Sequence, residues 1–383
     1  MNSSKIRIII VFSIVFLLTL SIIPLAFAKP RKTYIVDFIY DCEVKNEGFS
    51  NSPEDDDDIS YEATAYGLEI LNKFDLLEKK DIFGTVEEKV NSSDVPEELE
   101  DSLESLIAYG DANVYDLCHL LQALYTLEDS NKGYEVSSSI EYNVESYILS
   151  LLQSSGGYTP KASSTTETLA STYYALKIYE LIDETPANET FTKLWIQSCQ
   201  RYNGGYGGYS NLPATIENTY YAIMAMDIID EADDLLAKDI TVDYLKSFFE
   251  DNENDLDNYG GYYPNDDSDN TLISSTFYCV IGILMLDEDE LEDGIETLSW
   301  ILDRQNFRDG GFVDITDGAD QKYSSLISSY LAFKVLKELD PQLESLNEEV
   351  FEPEFNWWLL IIIISGIGVA IVVIILIRRK RRI

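Results

Sequence analysis

Three carboxylates, Glu62, Asp116 and Glu217, stand at one equivalent place in a segment that recurs along the chain. Each lies two residues before the residue that marks the repeat, here Thr64, Cys118 and Thr219. A carboxylate facing an apolar cavity holds its proton more tightly than in water and can act as a proton donor. With His119, the single histidine, two or three of these groups could instead hold a cation. A third reading needs no function. Acids in the first turn of a helix meet the positive end of its dipole, and that alone explains the column.

The positions just after the marker are aromatic. The first column reads Ala65, His119, Tyr173, Tyr220, Phe277, Tyr330, and the second Tyr66, Leu120, Tyr174, Tyr221, Tyr278, Leu331. One of them is expected to face the centre of the fold. There it either lines a cavity suited to an apolar ligand such as an isoprenoid, or fills the space between helix layers.

The acidic loops ahead of these segments are the other candidate. They carry Asp55 and Asp57, then Asp266, Asp267 and Asp269, then Asp314 and Asp317. Equivalent repeat positions put them on one rim, where clustered oxygens are candidates for calcium. No loop has the spacing of a calcium hand, and solvated acidic loops are the alternative.

The elements that carry these residues repeat. Gly-Gly-aromatic, a polar loop and an apolar helix recur from Gln153, Gln200, Asn258 and Gln305. The marker residues Thr64, Cys118, Thr172, Thr219, Thr276 and Ser329 lie 54, 54, 47, 57 and 53 residues apart. The first copy keeps a worn Gly48-Phe49, and the second has lost its glycine pair. The apolar helices, such as residues 271–286, are predicted to be buried on all sides. Between them lie amphipathic segments: Leu99, Leu103, Leu106 and Ile107; Ile140, Val144, Tyr147, Ile148 and Leu151; Ile240, Tyr244, Leu245 and Phe248; Ile295, Leu298, Ile301 and Leu302. Two kinds of helix in alternation predict two concentric layers of six hairpins. The glycine pairs serve the turns. An open stack would need polar end caps, and neither end has an obvious one, which favours a closed ring.

Gln153, Gln200 and Gln305 with their Gly-Gly-aromatic turns give the chain a likeness. It resembles the prenyltransferase and squalene cyclase repeat family over roughly residues 45–340. The resemblance implies an all-α fold, an α/α toroid of about six hairpins. It says less about function, because that toroid serves lipid-modifying enzymes, terpene cyclases, thioester domains and cobalamin carriers. Protein prenyltransferase β subunits hold zinc with an Asp and a Cys at one inner-helix start and a His at another. The corresponding places here are Thr215 and Glu217, or Leu272 and Ser274, with Ser328 at the His position. Zinc is therefore not expected. Those enzymes also meet a diphosphate with basic residues, whereas this rim is acidic with scattered Arg201, Arg308, Lys161 and Lys322. The Asp-x-Asp-Asp acid motif of the cyclases is matched as a string by Asp55, Asp57 and Asp58, but too early relative to the helix of Thr64. No Cys-Gly-Glu-Gln segment, phosphate-binding glycine loop or nucleophile elbow occurs.

The ends of the chain set its expected location. Residues 1–28 read as a secretory signal, with Lys5 and Arg7, an apolar run and Ala26-Phe27-Ala28. Residues 29–340 form the toroid and residues 341–356 an acidic stalk. Residues 357–377 carry no charge and are long enough to cross a bilayer. The basic tail, residues 378–383, is expected on the cytoplasmic side. The net charge is −42, and the body is more acidic still because both ends are basic. Nucleic acid is not an expected partner for such a field; a cationic or protein partner at the acidic rim suits it better, and solubility or adaptation to a salty medium explains the charge with no partner at all. Asn91 and Asn188 are glycan-acceptor patterns. Cys42, Cys118, Cys199 and Cys279 are not expected to form an essential disulfide framework, Cys42 with Cys118 being the pair least excluded. The leading expectation is a membrane-anchored extracytoplasmic binding module that is not catalytic. The alternative is a prenyltransferase- or cyclase-like enzyme, or a carrier, that takes an isoprenoid or other lipid in an aromatic cavity. Cavity geometry divides the two.

Overall fold

A computed structural model describes residues 29–44, 47–54, 59–77, 94–110, 112–130, 134–291, 293–314 and 324–350. These contain twelve α-helices. The inner set is α2 (Tyr61–Lys73), α4 (Val114–Ser130), α6 (Leu169–Leu181), α8 (Ile216–Ile228), α10 (Ile273–Leu286) and α12 (Leu326–Leu339). The outer set is α1 (Arg31–Asp41), α3 (Asp94–Ala108), α5 (Ser138–Leu151), α7 (Glu189–Ser198), α9 (Lys238–Lys246) and α11 (Gly294–Asp303). Each inner helix packs on the next, and α12 packs back on α2. The ring is closed, as the missing end caps implied. A short antiparallel pair, Lys29–Pro30 with Glu349–Val350, forms a small unit of its own.

The repeat marker has a physical reason. In each copy that keeps its glycine–aromatic turn, the amide of the turn's aromatic residue donates to the marker hydroxyl. Phe49 donates to Thr64 Oγ1 at 2.9 Å, Tyr158 to Thr172 at 3.0 Å and Tyr206 to Thr219 at 2.9 Å. Tyr262 donates to Thr276 at 3.0 Å and Phe312 to Ser329 Oγ at 2.9 Å. All five bonds are buried, where an amide left without a partner would be costly. The second copy lost its glycine pair, and with no such amide to accept, a buried Cys118 takes the hydroxyl's place.

The turns also join one repeat to the next. Thr192, Thr241 and Thr297 on outer helices donate to the carbonyls of Gly156, Gly204 and Gly260 at 2.8, 2.9 and 2.8 Å. Gly204 has φ +88°, and a Cβ there would lie 2.3 Å from the Ile240 carbonyl oxygen. Gly310 has φ +98° and would meet the Tyr34 carbonyl at 2.1 Å, so the last turn is pressed on the first outer helix. Glycine is required at both places by conformation and by space.

The inner helices all begin on one rim. Ser60, Thr168, Thr215 and Ser325 accept from the amides of Ala63, Ser171, Asn218 and Ser328, which is ordinary N-capping. Neighbouring loops take further first-turn amides. Val114 donates to the Pro160 carbonyl at 2.9 Å, and Leu169 to Gly208 at 2.8 Å. Leu326 donates to the Asn51 carbonyl at 2.8 Å, a bond between the last and first repeats.

Three expectations change. Helices α1 and α7 are outer helices whose pattern had not been singled out. Ile240 and Ile295, expected to face the core, are 47% and 80% exposed, because each stands at the start of a short outer helix beyond the inner layer's reach. The inner helices are not buried on every side. On α10, Tyr278, Ile281, Leu284 and Met285 line an open central space, since helix neighbours cover only the other faces. No disulfide joins the four cysteines, which are all buried. The signal and membrane segments, residues 1–28 and 357–377, and Asn91 lie outside the described residues, as does the stalk beyond residue 350. Among the described residues no helix is long and apolar enough to cross a membrane. Asn188 is exposed at the start of α7 with φ 62°.

Thr219→Val removes the marker hydroxyl and leaves the Tyr206 amide buried without a partner. It is expected to lower stability by about 1–3 kcal/mol in urea denaturation, whereas Thr219→Ser keeps most of it.

Candidate functional site

The inner helices enclose a chamber of about 780 Å³. Its wall follows from helical spacing. On α2 the positions 62, 66 and 69 form one stripe, and on α8 so do 217, 220, 221 and 224. Two adjacent aromatic positions straddle the inward direction, so both columns face the chamber rather than one. Tyr66 stacks on Tyr330, with ring centres 3.7 Å apart and planes 7° from parallel. Tyr173 stacks on Tyr221 at 5.3 Å, and Tyr220 tilts against Phe277 and Tyr278 at 5.2 and 5.1 Å. Tyr174 meets Tyr115 edge-on at 4.7 Å. The rings contact one another along the wall and leave the centre open.

The three column carboxylates separate. Glu62 and Glu217 line the chamber, while Asp116 stands in the first turn of α4 and does not. Burial raises the pKa of Glu62 above the usual glutamate value. The hydroxyls of Tyr115 and Tyr66 oppose that shift, and the charges of Asp116 and Glu217 add to it. Burial also raises the pKa of Asp116. Glu217 accepts from the Tyr221 hydroxyl at 3.0 Å. Burial pushes the tyrosine hydroxyls upward as well, Tyr220 to about 12, so they are donors at neutral pH.

His119 lines the same wall and is 1% exposed. Burial pushes its pKa down to about 3, so the ring is neutral. Neither ring nitrogen has a hydrogen-bond partner. The ring centres of Tyr115, Tyr66 and Tyr174 lie 4.5, 5.2 and 5.5 Å from its own, with planes steeply inclined to it.

A further chamber carboxylate, Glu69, was not singled out from the sequence. Glu69 Oε2 accepts from Tyr330 at 2.6 Å and Gln122 at 2.8 Å, and Lys334 reaches Oε1 at 3.3 Å. Its partners lie 53 to 265 residues away along the chain. Only its place seven residues after Glu62, on the same helix face, could have pointed to it.

The rim loops do not form a metal site among the described residues. No three His, Cys, Asp or Glu side chains come together there as ligands. Asp314 is structural. The Ile273 amide donates to Oδ1 at 2.9 Å and the Ser328 hydroxyl to Oδ2 at 3.0 Å, which ties the start of α10 to that of α12. Asp266, Asp267 and Asp269 are exposed, and Asp55, Asp57 and Asp317 lie outside the described residues. At the places that correspond to zinc ligands, Thr215 is an N-cap, Glu217 holds Tyr221, and Ser328 holds Asp314.

Comparison with known proteins supports the same architecture. The prenyltransferase alpha-alpha toroid domain matches residues 1–248 and 248–352. The fold is shared with protein geranylgeranyltransferase-I of Candida albicans, solved in complex with GGPP, at a TM-score of 0.62 and 16% identity over 83% of this chain and 93% of that one. It is shared with the type II terpene cyclase MstE from Scytonema at 0.52 and 13%, over 82% and 97%. An α-1,6-mannanase from Salegentibacter sp. HEL1_6 is similar at 0.50 and 15%, over 82% and 98%. At these identities the likeness is one of fold. No curated protein matches the chain.

The raised Glu62 pKa has a signed consequence. A glutamate protonated more readily in the folded state supports folding fully below its unfolded value, and that support fades as pH rises through the folded value. Glu62→Gln is therefore expected to raise the unfolding midpoint at neutral pH. The gain should vanish below the ordinary glutamate value of 4.5. Thermal melts across that range check it.

Proposed function

The chain belongs to the prenyltransferase α/α toroid family, and on that premise we propose that it binds an apolar, isoprenoid-type ligand in its central chamber. The single observation that supports this is the open space of about 780 Å³ walled by aromatic rings. That is the size range of chambers that bury most of a small organic ligand. A chain buried there would gain roughly 25 cal/mol for each Å² of apolar surface removed from water. The rim, by contrast, has no ligand cluster among the described residues, and Asp314 there is spent on helix starts. Cavity geometry was the feature on which the surface-interaction and chamber readings divided, and it favours the chamber.

A second reading, catalysis, has one observation in its favour. Glu62 is a carboxyl held toward its protonated form in an aromatic wall. Such a group can protonate an alkene, and the surrounding rings can stabilise the cation that results. Turnover of an added polyprenyl substrate that is lost in Glu62→Gln would support this reading. Binding without turnover would leave a carrier or receptor.

Location belongs to the same proposal. The toroid stands outside the cytoplasmic membrane and is held by residues 357–377, with the basic tail inside. Protease added to intact cells should remove the body and spare the tail. A protected body would overturn this arrangement.

Native mass spectrometry of the full chain in detergent is the direct test of the chamber. The wild-type protein is expected to carry an apolar small molecule. Ile281→Trp, which intrudes a large ring into the space, is expected to reduce the loaded fraction about tenfold, the equivalent of about 1.4 kcal/mol. A wild-type protein that stays bare and takes up no added isoprenoid would count against the proposal.

A further inference from the structure

We propose that the ligand's polar head is an organic ammonium group, seated beside Glu62 and His119. This rests on the chamber reading above and adds the head-group chemistry that the chamber selects.

The argument begins with charge. Glu62 and Glu217 face the chamber, and among the described residues no Lys or Arg pairs with either. Charges removed from water are normally paired, because desolvation otherwise drives them neutral. The two lysines on the wall are already engaged, Lys177 with Glu180 and Lys334 with Glu69. Among the described residues the wall therefore has carboxyl groups that lack a cationic partner, and an arriving ammonium group would supply one.

Helix direction bears on the entry path rather than on the seat, because Glu62 and Glu217 stand in first turns, at the positive dipole ends. All six inner helices begin on one rim, so their negative dipole ends share the opposite mouth. Asp129, Glu288 and Glu338 line the chamber from that end of the helices. A cation approaching there meets both helix ends and carboxylates, whereas an anionic head is repelled by the same groups.

His119 is the independent sign of a ligand. Its imidazole is neutral and almost wholly buried, with both nitrogens unpartnered. A neutral imidazole offers one acceptor lone pair. Buried polar atoms without partners are rare, and one in a chamber wall points to a partner that arrives with a ligand. An ammonium N–H supplies the missing donor. The rings of Tyr66, Tyr115 and Tyr174 around it supply the π faces that attract an organic cation. A bare metal ion fits this wall less well, because it needs several ligands at close range and among the described residues no three His, Cys, Asp or Glu side chains come together.

The test compares farnesylamine, farnesol and farnesyl diphosphate, which share one chain and differ in head charge. Their affinities for the full-length protein in a neutral detergent are measured by calorimetry. The amine is expected to bind about tenfold more tightly than the alcohol, the range of one desolvated cation–π and charge contact, and the diphosphate more weakly than both. Glu62→Gln should bring amine and alcohol to near parity by weakening the amine. His119→Phe should weaken the amine selectively. Glu184→Gln, an exposed charge outside the chamber, should leave the preference intact and so exclude general attraction to an acidic protein. Equal binding of amine and alcohol by the wild type, or a preference that survives Glu62→Gln, would overturn the ammonium assignment alone. Failure of all three compounds to bind would overturn the chamber reading with it.

Discussion

A buried hydroxyl accepting the amide of the residue that closes each glycine turn is the interaction on which the rest depends. It recurs five times at 2.9 to 3.0 Å. Each bond fixes where an inner helix stands relative to the turn that feeds it. The turn's first glycine in turn presses on the next outer helix, and its carbonyl is taken there by a threonine in three of the repeats. One small unit thus sets both the angle within a hairpin and the step to the next. Repetition of the same step brings Leu326 to Asn51 and Gly310 to Tyr34, which closes the circle.

The chamber follows from that geometry. Helices fixed at their N-terminal ends and joined side by side in a ring leave their inward stripes facing one another across a space. In a chain with small inward residues the space would be wide, and with larger ones it would fill. Here paired aromatic positions give a wall of touching rings and an open centre. Carboxylates that would be ordinary first-turn residues on an isolated helix then face a low-dielectric interior. The raised pKa of Glu62 and the depressed pKa of His119 are two consequences of the same burial, with opposite signs because one group is charged by losing a proton and the other by gaining one. A wall that keeps an acid partly uncompensated and a histidine without partners is strained relative to an apolar one, as functional walls often are.

Much of this was legible in the chain itself. The marker residues, the glycine turns and the alternation of helix types gave six hairpins in two layers, because each signal is local and each recurs. The prolonged apolar character of α10 was read correctly as inner, but wrongly as buried on every side. A helix face toward an aromatic chamber and one toward a packed core have the same composition. Ile240 and Ile295 misled for the converse reason, since helical spacing says which residues share a face and not how far the neighbouring layer extends along it. Asp314, a rim candidate in the sequence, also ties two helix starts together, a role that needs partners from two repeats.

The sequence by itself determined the repeat, the turn chemistry, the capping and the identity of every side chain on the inward stripes, because these depend on neighbours within a few residues. Tertiary structure alone decided that the ring closes on an open centre, that both aromatic columns face it, and that Glu62 and Glu217 reach it while Asp116 does not. It alone assembled Glu69 with Gln122, Tyr330 and Lys334, groups separated by up to 265 residues. The reason is physical. Burial and pairing are properties of the space between helices, and the size of that space is set by how all six repeats meet, which no single repeat encodes.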